Sequence, residues 1–175
     1  MVKFSRCLAI FIFTLIILLA FNVQEAKANF ISIGYSEKDK ALSLSHAFRF
    51  DNNLGVEGGV ILSRNYTTYY EHPRPFHNYT IVGEKKIGYV FGIDILGFID
   101  LAKNISIHGG IGVYGHEYVF VIHRENSTED YELPHGGSKY EIGFSAGIQF
   151  KLKKFLLGLG YHELRGFNLQ FATYK

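Results

Sequence analysis

The stretch GIDILGFIDLAKNISIHGGIGVYG (92–115) decides the fold. Its apolar residues recur at every second position, the period of an extended strand with two unlike faces. Extended back to Ile87, the first strand sets Ile87, Tyr89, Phe91, Ile93, Ile95 and Gly97 against Gly88, Val90, Gly92, Asp94 and Leu96. After a tight turn, Ile105, Ile107, Gly109, Ile111, Val113 and Gly115 oppose Ser106, His108, Gly110, Gly112 and Tyr114. A third window, 140–150, places Tyr140, Ile142, Phe144, Ala146, Ile148 and Phe150 opposite Glu141, Gly143, Ser145, Gly147 and Gln149. A tilted strand that crosses a bilayer needs about 9–11 residues, the length of each window.

Working outward, 42–50, 54–62, 155–162 and 167–172 repeat the pattern in shorter form, and 30–36 completes eight strands. His46, amid the apolar side of 42–50, is the misfit. Asp51–Asn53, Leu101–Asn104 and Lys151–Lys154 read as tight turns, whereas Tyr69–Lys86 and His123–Ser138 read as long loops. All three prolines (Pro73, Pro75 and Pro134) fall in those two segments, so the eight strands are expected to be free of proline. Short turns at one rim and long loops at the other form the asymmetry of outer-membrane barrels.

Alternation alone does not say which face points inward. A soluble ligand-binding barrel carries a charged exterior. Here one face is almost uniformly Ile, Leu, Val, Phe and Tyr, and the other is Gly and Ser with a few ionisable groups. Lipid contact explains the first, and the crowded interior of a narrow barrel explains the second. The expected fold is all-β, an eight-stranded antiparallel up-and-down transmembrane β-barrel over 29–175. Closure leaves no strand edge unpaired in lipid.

A separate segment precedes it. Lys3 and Arg6 stand before an apolar run, Cys7 to Phe21, which is followed by Ala26-Lys27-Ala28. This pattern predicts a cleavable secretory signal peptide over 1–28, with cleavage before Asn29. The run is short of the roughly 20 residues of a spanning helix. Without this segment the charge of +2 vanishes, since three of 18 basic and one of 16 acidic residues lie within it. The single Cys of the 175 residues lies there too, which excludes a disulfide scaffold and a Cys-based metal cluster. A neutral domain is a poor candidate for nucleic-acid binding.

LSLSHAFRFDNNLGVEGGV (42–60), GIDILGFIDLAKNISIHGGIGVYG (92–115) and IGFSAGIQFKLKKFLLGLGYHELRGFNLQF (142–171) resemble the outer-membrane β-barrel family that includes the outer-membrane protein A transmembrane domain and opacity-type surface antigens. The resemblance covers nearly all of 29–175 and is one of pattern and turn placement. It implies an outer-membrane location and insertion by the barrel-assembly machinery, in contact with outer-membrane lipid and lipopolysaccharide.

The expected inward face collects Arg49, Glu57, Asp94, His108 and Glu141, with His116 and His162 in phase. Charges of both signs in a narrow lumen are expected to pair as a structural plug; the functional alternative is an ion path and a porin-like passage for small solutes. In the longer loop, Arg74, Phe76, His77 and Tyr79 are candidate recognition residues for a host or matrix ligand, while Tyr66, Tyr69 and Tyr70 are expected in an interfacial belt. A lipid A-modifying enzyme needs a nucleophile beside a base, yet Tyr161-His162-Glu163-Leu164 offers no Ser near its His. No catalytic residue, cofactor or metal is therefore expected. The predicted role is non-enzymatic surface display through 69–86 and 123–138, as an adhesin, surface antigen or structural protein.

Overall fold

The structure, a computed structural model, describes residues 28–37, 40–50, 53–62, 66–124 and 129–174. The signal peptide expected over 1–28 lies outside these residues except for Ala28, which opens the first strand. The described residues form β1 (Ala28–Ser36), β2 (Ala41–Arg49), β3 (Leu54–Ile61), β4 (Tyr66–Phe76), β5 (Tyr79–Ala102), β6 (Ile105–Arg124), β7 (Asp130–Leu152), β8 (Phe155–His162) and β9 (Gly166–Tyr174). All neighbours pair antiparallel, β1 closes on β9, and β3 pairs with the lower half of β5. The ring therefore has eight staves: β1, β2, β3, β5, β6, β7, β8 and β9.

The ninth strand, β4, continues the stave of β3 above the ring and pairs with the upper half of β5. With the upper halves of β6 and β7 it builds a four-stranded sheet that projects from one rim. The expected loops 69–86 and 123–138 are thus mostly strand. Pro73 and Pro75 lie in β4 and Pro134 lies in β7, contrary to the expectation of proline-free strands. Proline lacks the N–H a central ladder needs. β4 is an edge strand whose pairing shifts between Tyr69 and Arg74, and Pro134 falls where the β6–β7 register shifts, between Val119↔Gly136 and Val121↔Glu132. Both places tolerate the missing donor.

Gly88 marks the passage from wall to projection. The β5–β6 register shifts between Ile87 and Phe91, and Gly88 takes φ +72°, which a side chain would strain. Below it the period of two holds. Ile31, Ile33, Leu44, Ile95, Ile111, Val113, Ile142, Phe144, Leu159 and Leu169 face outward and are exposed. Tyr35, Tyr161 and Phe167 sit side by side in the ladder at the upper margin of this band, with Tyr89 and Tyr140 also exposed. They form the belt. Tyr69 and Tyr70 lie in the projecting sheet instead.

The core is the lumen. At the end carrying Ala28 and the 153–154 turn, Phe30 stacks on Phe98 (centroids 5.8 Å apart) among Ala47, Leu96, Leu156 and Ala172. At the other end Ala41, Ile61, Val90 and Leu164 close over Tyr114. Polar side chains fill the space between.

Candidate functional site

The register creates a conflict inside the barrel. Glu57 on β3 lies directly opposite Asp94 on β5, and like charges facing each other across a ladder repel. Arg165, from the short β8–β9 turn, resolves it. Its Nη1 donates to Glu57 Oε1 at 2.8 Å, and Nη2 lies 2.7 Å from Glu57 Oε2 and 3.5 Å from Asp94 Oδ2. The Ser45 hydroxyl also donates to Glu57.

Asp94 is completed by neutral donors. The Tyr114 hydroxyl donates to Oδ2 at 2.5 Å, and His162 Nε2 lies 2.9 Å from Oδ1. Backbone N–H groups of Leu164 and Arg165 point at His162 Nδ1, at 3.0 and 3.2 Å. Nδ1 is therefore the acceptor and Nε2 carries the hydrogen, which fixes a neutral imidazole that donates to Asp94. Inward glycines make the room. A Cβ at Gly92 would lie 2.3 Å from the Tyr114 ring, and one at Gly112 would lie 2.2 Å from Asp94 Oδ1.

The other candidates for this network stand apart from its centre. Arg49 sits at the mouth beside the 103–104 turn, where Nη2 donates to both oxygens of Asp100 (3.0 and 2.9 Å) and to Asn53. Its guanidinium lies over the Phe98 ring. His108 packs on Phe98 and faces the Gln170 amide, at 3.2 Å. Glu141 lies near the opposite rim, 3.8 Å from His116. His46 points outward, with its ring edge-on to Phe48. Arg165 is the residue a strand pattern misses: a turn residue has no assigned face.

The base of the projecting sheet is tied across strands. Glu84 on β5 accepts hydrogen bonds from Tyr70 on β4 and Lys139 on β7. Burial works to raise the Glu84 carboxyl, but these donors outweigh it and hold it below the usual range. Tyr70 is pushed up to about 12 by burial and by its hydrogen bond to Glu84. Lys85 pairs with Glu132, and the Tyr69 hydroxyl donates to Asp130 at 3.0 Å.

Above this base, Phe76, Tyr79 and Arg124 face one another across three strands, which puts them on the same side of the sheet. Arg74 and Tyr131 share that side through the pairings Arg74↔Ile81, Ile81↔Ile122 and Ile122↔Tyr131. The Phe76 and Tyr79 rings lie 5.4 Å apart, and Arg124 lies over Tyr131 at 5.1 Å. His77 occupies the two-residue turn at the tip, at φ +50°, with its ring against Phe76. Sequence reading gathers Arg74, Phe76, His77 and Tyr79 because they are adjacent; Arg124 and Tyr131 join only through the register.

No protein-family model matches the chain, and no curated protein matches it. Two crystal structures of Ail, the attachment invasion locus protein of Yersinia pestis, resemble it at 17% sequence identity. One, in complex with the heparin analogue sucrose octasulfate, has a TM-score of 0.44 over 84% of this chain and 97% of that one. The other has a TM-score of 0.43 over 85% and 98%.

Proposed function

We propose that this chain is a non-enzymatic outer-membrane barrel whose projecting sheet presents an arginine–aromatic face to an external partner, in an adhesive or surface-antigen role. The alignment of Phe76, Tyr79 and Arg124 on one side of that sheet carries the reading. Arg and Tyr are the residues on which binding energy concentrates at protein interfaces. A face held by strand pairing also meets its partner with less ordering cost than a loose loop. The apolar wall and its aromatic belt suit the barrel to outer-membrane lipid and lipopolysaccharide. An occupied lumen opposes the porin-like alternative. The lipid A-modifying alternative meets a different obstacle: the Asp94–His162 pair is fully buried and offers no lipid a route to it.

The test is adherence of cells that carry the protein to epithelial or matrix-coated surfaces. Changing Phe76, Arg124 and Tyr131 to serine should lower adherence while the band still shifts on heating in SDS gels. Unchanged adherence after 70–85 is replaced by a short turn would remove the support for this role. A lipid A acyl chain missing only from the expressing strain would replace it with an enzymatic one.

A further inference from the structure

The end of the barrel opposite the projecting sheet is cationic. Among the described residues it carries Arg49, Lys103, Lys151, Lys153 and Lys154 against one carboxylate, Asp100. Arg49 is paired with Asp100 at 2.9 Å, so the excess charge resides on Lys103, Lys153 and Lys154. No carboxylate of the described residues lies within ion-pair distance of Lys103, Lys153 or Lys154.

Three observations say what such a rim meets. Leu101, Leu152 and Phe155 flank these lysines and are exposed by 61%, 53% and 51%, so the apolar wall runs right up to the charges. Lysine at such a margin lays its stem on the apolar surface and lifts its ammonium to the headgroup level. A polar cavity of about 380 Å³ opens beside it, lined by Arg49, Asp100, Lys103, Asn104, Ser106 and Lys151. Lys153 also holds φ +55° in the two-residue turn between Leu152 and Phe155, where glycine or asparagine is the easier choice. The sequence accepts that strain and keeps a cation there.

We infer that the Lys103 and Lys153–Lys154 turns form a binding rim for the phosphate of an anionic phospholipid in the leaflet at this end. The adjoining cavity receives the polar headgroup, and Leu101, Leu152 and Phe155 contact the acyl chains. This rests on the reading that the barrel spans a membrane. A soluble anion would need only the lysines; the continuity of charge with apolar wall favours a lipid.

The protein is inserted into nanodiscs of phosphatidylcholine containing a minority of phosphatidylglycerol, and retained lipid is counted by native mass spectrometry. Phosphatidylglycerol should be enriched, and Lys103→Gln should cut the enrichment about fivefold, the value of one lysine near an anionic surface. The Lys103→Gln, Lys153→Gln, Lys154→Gln combination should abolish it. Arginine at the same three positions should preserve it, and Lys85→Gln on the projecting sheet should leave it unchanged. Equal enrichment in the glutamine variants would overturn the proposal, as would displacement of the lipid by inorganic phosphate, which would mark a soluble-anion site. Failure to enter nanodiscs at all would instead sink the membrane-spanning reading.

Discussion

Arg165 holds Glu57 in a two-toothed ion pair at 2.7 and 2.8 Å, across 108 residues of chain and from a turn into the middle of the lumen. The pair matters because Glu57 also faces Asp94. Without the guanidinium, two carboxylates would share a buried space. Removing one partner of a buried pair costs about 3–5 kcal/mol, largely as the penalty of the charge left behind. Arg165→Met should therefore lower stability by about that amount. Glu57→Gln should cost less, since Arg165 keeps Asp94. The midpoint of the heat-dependent gel shift, or of urea unfolding in detergent, orders the two. A larger loss for Glu57→Gln would contradict the account.

Space in the lumen is as specific as charge. Tyr114 fits because Gly92 leaves its ring a place, with 2.3 Å between the ring and any added Cβ. Gly92→Ala must displace the ring and weaken the Tyr114–Asp94 hydrogen bond, an overpacking cost of about 1–3 kcal/mol. In a Tyr114→Ala background the same change should be nearly neutral. Additive losses in that double-mutant cycle would show that the ring is not what Gly92 accommodates.

The staves are legible because an apolar outer face and a narrow, packed lumen impose a strict period of two, as at Ile93, Asp94 and Ile95. The projecting sheet lacks that signal: it stands clear of the closed ring, neither face of Tyr66–Phe76 is uniformly apolar, and the edge position of β4 admits Pro73 and Pro75. The inward placement of Glu57 and Asp94 could be read from alternation, but their direct opposition depends on the register of β3 against β5. Arg165 was out of reach for a further reason. Its direction is set by the carboxylates it meets, which lie far away in the chain.

The layering of the lumen makes a statement about conduction. The Arg165–Glu57–Asp94 group lies between an apolar layer around Phe30 and Phe98 and another around Ile61, Val90 and Leu164. Apolar constrictions block ions by excluding water. Planar-bilayer recordings should show no stable conductance steps for the unaltered chain, nor for Arg165→Met, because removing the central cation leaves both apolar layers in place. Large steps from Arg49→Ala or Glu57→Ala without loss of thermal stability would show that these charges line a path rather than fill one.

The tie at the base of the projecting sheet should be sensitive to pH on two sides. Tyr70 is raised from 10.0 to about 12, by burial and then by its hydrogen bond to Glu84, so the folded sheet holds this proton more tightly than the unfolded chain does. Its contribution is complete below pH 10 and is lost as pH rises through about 12. Glu84 has the opposite sign. Burial alone would raise it, but the bonds from Lys139 and Tyr70 leave it below 4.5, so its contribution is present above that value and disappears as pH falls through the folded one. Amide hydrogen exchange, corrected for the intrinsic effect of pH, should therefore show Thr67 to Tyr69 of β4 losing protection in alkali and again in acid, before the barrel wall does. Tyr70→Phe should delete the alkaline limb and leave a reduced acid limb, because Lys139 still donates to Glu84. If the alkaline limb persists in Tyr70→Phe, another group releases the strand and the assigned tie is wrong.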